Sequence, residues 1–146
     1  MHVQPYLSFE GRAEEALDFY VKAVGAQVNM KMRFNEAPRD ATATDDGCAG
    51  MGPPPAAGDK IMHSEFKIGE SVIMASDGFC SGKTSFGGIS LAIQARDDAE
   101  ARRIFDGLSA GGQVQQPLIK TFFATSFGVL ADKFGVSWMV VAPATR

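Results

Sequence analysis

Short runs that alternate apolar with polar residues, interrupted twice by a helical spacing, organise this chain. Residues 3–9 alternate, with Leu7 and Phe9 opposite Tyr6 and Ser8, and predict a strand. Residues 13–24 switch period. Ala13, Ala16, Leu17, Tyr20 and Val24 fall on one helical stripe, while Glu14, Glu15, Asp18 and Lys22 fall on the other face. The acidic residues crowd the first turns, where the helix dipole favours them, and Gly25 follows as a stop. Residues 27–34 alternate again, placing Val28, Met30, Met32 and Phe34 on one predicted face and Asn29, Lys31 and Arg33 on the other. Residues 61–68 set His63, Glu65 and Lys67 against Met62, Ser64, Phe66 and Ile68. Gly69-Glu70 then reads as a hairpin turn leading into a buried strand over 71–75.

The same order then recurs. A strand over 89–95 leads to a helix from about Asp98, whose stripe is Ala101, Ile104, Phe105 and Leu108. Asp97 with Glu100 resembles a capping box, and Gly111-Gly112 end the helix. Strands over 114–120, 122–130 and 136–141 complete the pattern, with Asp132-Lys133 as the turn before the last one. The recurrence extends to residue identities. A slide of about 86 positions lays Ala13-Glu14 on Ala99-Glu100, Phe19 on Phe105, Gly25 on Gly111 and Gln27-Val28 on Gln113-Val114. Each half is therefore strand, helix and three strands. The expectation is one α+β domain over 1–146, built of two βαβββ modules at about 1–78 and 86–143. Its curved mixed sheets are expected to surround a cleft, the natural place for a ligand in a two-module fold. Residues 35–60 break every period, carry Pro38, Pro53, Pro54 and Pro55, and predict a long loop, either a lid or a plain solvated excursion.

Composition narrows the partners more than the chemistry. A chain of 146 residues with 45% apolar and 21% charged residues is an ordinary globular domain. A net charge of −3 without a basic cluster argues against nucleic acid. No signal peptide and no apolar run of membrane-spanning length is read, so the expected setting is cytoplasmic, with no membrane partner. Cys48 and Cys80 are too few for a disulfide framework and are expected to be reduced, unreactive thiols.

Several motifs together carry a family resemblance. They are Pro5-Tyr6-Leu7-x-Phe9-x-Gly11, Glu15-Ala16-x-x-Phe19-Tyr20, His63 near the start of a strand, Met74-Ala75-Ser76-Asp77 and Ser81-Gly82-Lys83. Thr121-Phe122, Phe127-Gly128 and Asp132-x-Phe134-Gly135-Val136-x-Trp138-Met139 continue them at the C-terminal end. In this order and spacing the chain resembles the PhnB-like branch of the vicinal oxygen chelate superfamily. That superfamily includes glyoxalase I, bleomycin-resistance proteins and extradiol (dihydroxybiphenyl) dioxygenases. Phe123 stands where the branch usually has tryptophan. Names in the branch include a ubiquinone methyltransferase, but no glycine-rich strand-to-helix turn for S-adenosylmethionine is present in this sequence.

The resemblance implies a homodimer and, in the superfamily's enzymes, a divalent ion held by two side chains from each half. It places those four positions near Pro5, Met74, Gly88 and Met139. None is a histidine or carboxylate, and neither is any immediate neighbour, so the expectation is no metal and no other cofactor. Phe9, Met74, Phe122, Phe123 and Met139 are candidates to line an apolar ligand pocket, with His63 and Glu65 as its polar members. The leading expectation is a metal-independent small-molecule-binding homodimer. The first alternative is a metal-dependent lyase or dioxygenase with a displaced divalent site at His63 and Glu65, which share a strand face, near Asp77 in sequence. The second is a non-catalytic regulatory or structural dimer. Two histidines in the whole chain leave little material for a zinc site.

Overall fold

The computed structural model describes residues 1–36 and 58–143, and within them eight strands form two four-stranded sheets, accompanied by two α-helices. The chain divides into two compact units, Met1–Thr84 and Ser85–Arg146. The expected long loop falls almost wholly outside the described residues.

The first unit contains β1 (Tyr6–Ser8), α1 (Ala13–Val24), β2 (Gln27–Arg33), a 3₁₀ turn (Phe34–Glu36), β3 (Ile61–Ile68) and β4 (Ser71–Ser76). Its strand order is β1-β4-β3-β2, with β1 parallel to β4 and the other pairs antiparallel. Successive residues of a strand point to opposite faces, and residues paired across strands share a face. One face buries Leu7, Ile73, Ala75, Ser64 and Phe66. Helix α1 covers that side with Ala13, Ala16, Leu17 and Tyr20, all but Val24 of the predicted stripe being buried. Tyr20 stacks on Phe66 with ring centroids 5.6 Å apart and also meets Phe9 at 6.2 Å.

The start of α1 is capped from a distance. Arg12 occupies the cap position but makes no capping bond through its side chain. Instead Asp77, 1% exposed, accepts through Oδ1 from the Gly11 and Ala13 amides at 2.9 and 2.8 Å, and through Oδ2 from the Ile61 amide at 2.6 Å. One carboxylate thus joins the entry to α1, the start of β3 and the end of β4. A second buried acid, Glu10, fixes the following turn. It accepts from the Phe79 and Ser81 amides at 3.2 and 3.1 Å and from the Ser81 hydroxyl at 2.7 Å. At the other end of α1 Gly25 takes the left-handed conformation, φ 69°, as its position predicts.

The second unit repeats the plan with β5 (Ser90–Gln94), α2 (Asp98–Ser109), β6 (Gln113–Ile119), β7 (Ala124–Ala131) and β8 (Ser137–Pro143). Its order is β5-β8-β7-β6, again with the first strand parallel to the last. Trp138, Val140, Leu130 and Gly128 lie on the face covered by α2. Half of the predicted capping box forms: Asp97 accepts from the Glu100 amide at 2.8 Å. Glu100 reaches back to the amide of Arg96 rather than to that of Asp97. Asp132 makes the predicted turn, accepting from the Phe134 and Val136 amides at 2.8 and 3.1 Å and from the Trp138 indole at 2.8 Å.

Three sequence expectations change. The strand expected over 122–130 begins at Ala124, because Thr121 accepts from the amides of Phe123 and Ala124 and so closes a turn. The unbroken alternation expected over 27–34 is interrupted by register shifts between Val28 and Met30 and between Met32 and Arg33. Val28 pairs with Phe66 but Met30 with the next residue, Glu65, so the two apolar side chains take opposite faces around a bulge at Asn29. Cys80 is disulfide-bonded, where an unbonded thiol was expected. Sequence separation of two cysteines says nothing of their proximity in space, and Cys48 lies outside the described residues.

Candidate functional site

The sheet face opposite α1 carries the chemistry of the first unit. A cross-strand row runs from Tyr6 on β1 to Met74 on β4, Glu65 on β3 and Met30 on β2. Beside it Ser8 pairs with Ser76, and His63 pairs with Met32. The Tyr6 hydroxyl lies 3.0 Å from His63 Nδ1, reaching across β4, and the two rings sit 5.6 Å apart, tilted by 30°. This contact fixes the imidazole in place. Met30, Met32, Met74, His63 and Glu65 are all half-buried, so thioether and polar groups share one partly wetted surface. Glu65 has no hydrogen-bond or ion-pair partner among the described residues. Lys67, two residues along on the same face, pairs in register with Val72 and Gln27, and no ion pair joins it to Glu65.

The second unit's open face is more apolar. Its central row holds Ala92 on β5, Met139 on β8, Val129 on β7 and Gln116 on β6. The neighbouring row holds Gln94, Val141, Phe127 and Ile119. Phe123 meets Phe127 with ring centroids 5.3 Å apart, and Phe122 meets Phe123 at 5.2 Å. Phe122 is 97% exposed, on the turn before β7.

The predicted pocket residues therefore part company. His63, Glu65 and Met74 share one open face, and Met139 lies on the other unit's open face. Phe122 and Phe123 sit on a turn. Phe9 belongs to the buried core against Tyr20, with 0% exposure, because its strand parity puts it on the helix side with Leu7. The residues missed were Tyr6, Met30 and Met32. Tyr6 lies in the quoted Pro5-Tyr6 motif, while the bulge at Asn29 hid the strand parity of the methionines.

The resemblance implies metal positions near the parallel strand pair of each unit. In the first unit the pair is Tyr6 beside Met74, and in the second Ala92 beside Met139. Tyr6 and Ala92 are related by the internal repeat and are the residues paired with Met74 and Met139. Pro5 and Gly88 both precede their strands. The donors at the four positions are a phenol, two thioethers and a methyl group. A hard divalent ion needs imidazole nitrogens or carboxylate oxygens, so this set does not fit it. His63 and Glu65 supply two such donors, but Asp77 cannot be a third, since both its oxygens hold backbone amides. Among the described residues no three histidine, cysteine or acidic side chains gather as a metal site.

A separate polar recess of about 420 Å³ lies at the start of α1, lined by Gly11, Arg12, Glu14, Asp59, Lys60 and Asp77 among others. Several of its charged residues are engaged in structure. Glu14 receives Arg33 and Lys31 at 2.6 and 2.9 Å. Those hydrogen bonds, the Arg33 bond first, lower its pKa from 4.5 to about 2. Lys60 donates to the Gly11 carbonyl at 3.0 Å.

Two sheets, each with a parallel outer pair and a single covering helix, define the glyoxalase and bleomycin-resistance fold, seen also in glyoxalase-related proteins. Within that class a family model described as 3-demethylubiquinone-9 3-methyltransferase matches residues 1–141. The chain belongs to this PhnB-like family. It is 38% identical to protein YjdN of Escherichia coli over 141 residues, covering 96% of this chain and 94% of that one. A solved structure of protein PA1353 from Pseudomonas aeruginosa matches with 34% identity and a TM-score of 0.80, covering 98% of both chains. A Bacillus cereus structure described as a putative 3-demethylubiquinone-9 3-methyltransferase, PhnB protein, matches with 25% identity and a TM-score of 0.75. It covers 97% of this chain and 99% of that one.

Proposed function

We propose that this protein binds a small organic molecule on its open sheet faces without a metal ion, as a homodimer. The observation that carries the reading is the residue set Tyr6, Met74, Ala92 and Met139 on the two parallel strand pairs, which offers neither imidazole nor carboxylate near the positions the resemblance implies for an ion. Support comes also from the mix of flexible thioethers, aromatic rings and a few polar groups on those faces, a composition that accommodates varied ligand shapes. We do not extend the methyltransferase of the family description to this chain. Such chemistry requires a cradle for S-adenosylmethionine, and the turn from β1 into α1 contains one glycine, Gly11, and that from β5 into α2 none.

The test measures metal content and melting temperature on protein purified without chelator or affinity tag. The expected result is substoichiometric metal and an unchanged melting temperature with EDTA or with added Zn, Ni, Mn or Fe. A one-to-one metal whose removal lowers the melting temperature would overturn the reading. If His63→Ala then abolished that metal, the displaced site at His63 and Glu65, and with it a lyase or dioxygenase, would take its place.

A further inference from the structure

Among the described residues Glu65 is the only carboxylate on the open face of the first sheet, and it stands between Met74 and Met30 in the cross-strand row. Two other acids of this unit, Asp18 on α1 and Glu70 in the hairpin turn, also have no hydrogen-bond or ion-pair partner among the described residues, but both are exposed; four more are engaged. Glu14 has Arg33 and Lys31, Glu15 has Arg12, Glu10 has amides and a hydroxyl, and Asp77 has three amides. Glu65 is half-buried and has no such partner among the described residues. The one cation on its face, Lys67, makes no ion pair with it. A carboxylate half-withdrawn from water beside thioethers has lost part of its hydration without a replacement, so a cationic donor from outside gains more there than at a fully wetted acid. Around it the face offers what the rest of such a ligand needs. Met30, Met32 and Met74 supply adaptable apolar contact, and the Tyr6 ring, held against His63, supplies a π-surface that favours cations.

We infer that the open face of the first sheet recognises an organic amine: a protonated nitrogen seated on Glu65, with its apolar part against the methionines and Tyr6. The inference rests on the small-molecule-binding reading and specifies the ligand class. The polarity follows from the charge pattern. An anionic ligand would meet the Glu65 carboxylate at the centre of the row and find its only cation, Lys67, at the margin beside Val72.

The experiment uses three probes of matched shape: 4-phenylbutylamine, 4-phenylbutanol and 4-phenylbutyrate. Each is titrated into the full chain and followed by the methionine methyl resonances, assigned by single Met→Leu substitutions. The amine is expected to shift the Met30 and Met74 methyls and to bind about 5- to 30-fold more tightly than the alcohol, the range of one charge-assisted contact at a partly wetted site. In Glu65→Gln the amine and alcohol affinities are expected to converge within about twofold. Glu70→Gln, the same change of charge in the hairpin turn, is expected to keep the preference. If amine and alcohol bind alike, if the butyrate binds best, or if the preference survives Glu65→Gln, the amine inference falls while the binding reading stands. Binding that leaves the Met30 and Met74 methyls unmoved also overturns it. If none of the three probes binds, both fall.

Discussion

Three acidic residues in this chain do unrelated jobs, and their partners decide which. Asp77 spends both carboxylate oxygens on backbone amides from three segments. Asp77→Ala strands those donors in the interior and should cost about 3 kcal/mol in urea unfolding; a loss below about 1 kcal/mol would show that water replaces the carboxylate there. Glu14 works at the surface, where Arg33 and Lys31 hold its pKa at about 2. A lowered carboxylate pKa contributes stability that is complete above 4.5 and is lost as pH falls through about 2. Glu14 is 45% exposed, so screening limits the contribution to about 1 kcal/mol or less. Wild type and Glu14→Gln should therefore differ in stability at pH 6 and converge at pH 2, and salt should narrow the gap at pH 6. Glu65, by contrast, has no partner among the described residues and is where a ligand is proposed. Residue type alone separates none of these roles. Asp77 was a conceivable metal ligand in sequence, and only its amides remove it.

At the scale of elements, two glycines show where packing outranks propensity. Gly128 interrupts β7, a strand otherwise suited to its place. A Cβ there would lie 2.5 Å from the Phe105 ring of α2, so the glycine lets helix and sheet approach. Gly128→Ala should cost about 1–3 kcal/mol through overpacking, and Phe105→Leu in the same chain should recover part of it; additive losses would place the strain elsewhere. Gly78 has φ 57° and a Cβ there would collide with the Glu10 carboxylate. Gly78→Ala is expected to dislodge Glu10 from the Ser81 amide, read as faster amide exchange at Ser81 than in wild type. Helices and most strands were legible because their burial follows a fixed period. The bulge at Asn29 was not, since an extra residue leaves the local alternation of apolar side chains intact while changing which sheet face they reach.

For the whole molecule, the internal repeat has a structural counterpart in register. A slide of about 86 positions carries Tyr6 to Ala92, and their parallel partners are Met74 and Met139. The two units share a plan but differ in surface: the first face holds histidine, glutamate, tyrosine and three methionines, and the second is mostly aliphatic and aromatic. The proposed homodimer has its own test at this scale. A dimer whose folded subunits depend on one another melts at a temperature that rises with protein concentration, and sedimentation should give twice the mass of one 146-residue chain. A monomer mass with a concentration-independent melting temperature would reject it. No helix among the described residues is long and apolar enough to cross a membrane.

The sequence by itself determined the two modules, their helices and stops, the N-cap at Asp97, the Asp132 turn and the family. All of these depend on neighbours within a few residues or on motifs read in order, which chain position preserves. It also placed His63, Glu65 and Lys67 on one face, because alternation along a regular strand is local. Only the tertiary structure decided that Tyr6 holds His63, that Met30 and Met32 join that face, and that Phe9 and Asp77 belong to the interior. It also set Tyr6 beside Met74 and Ala92 beside Met139 across the two parallel strand pairs. These depend on register between strands distant in sequence, and register is set when sheet faces are buried against their helices.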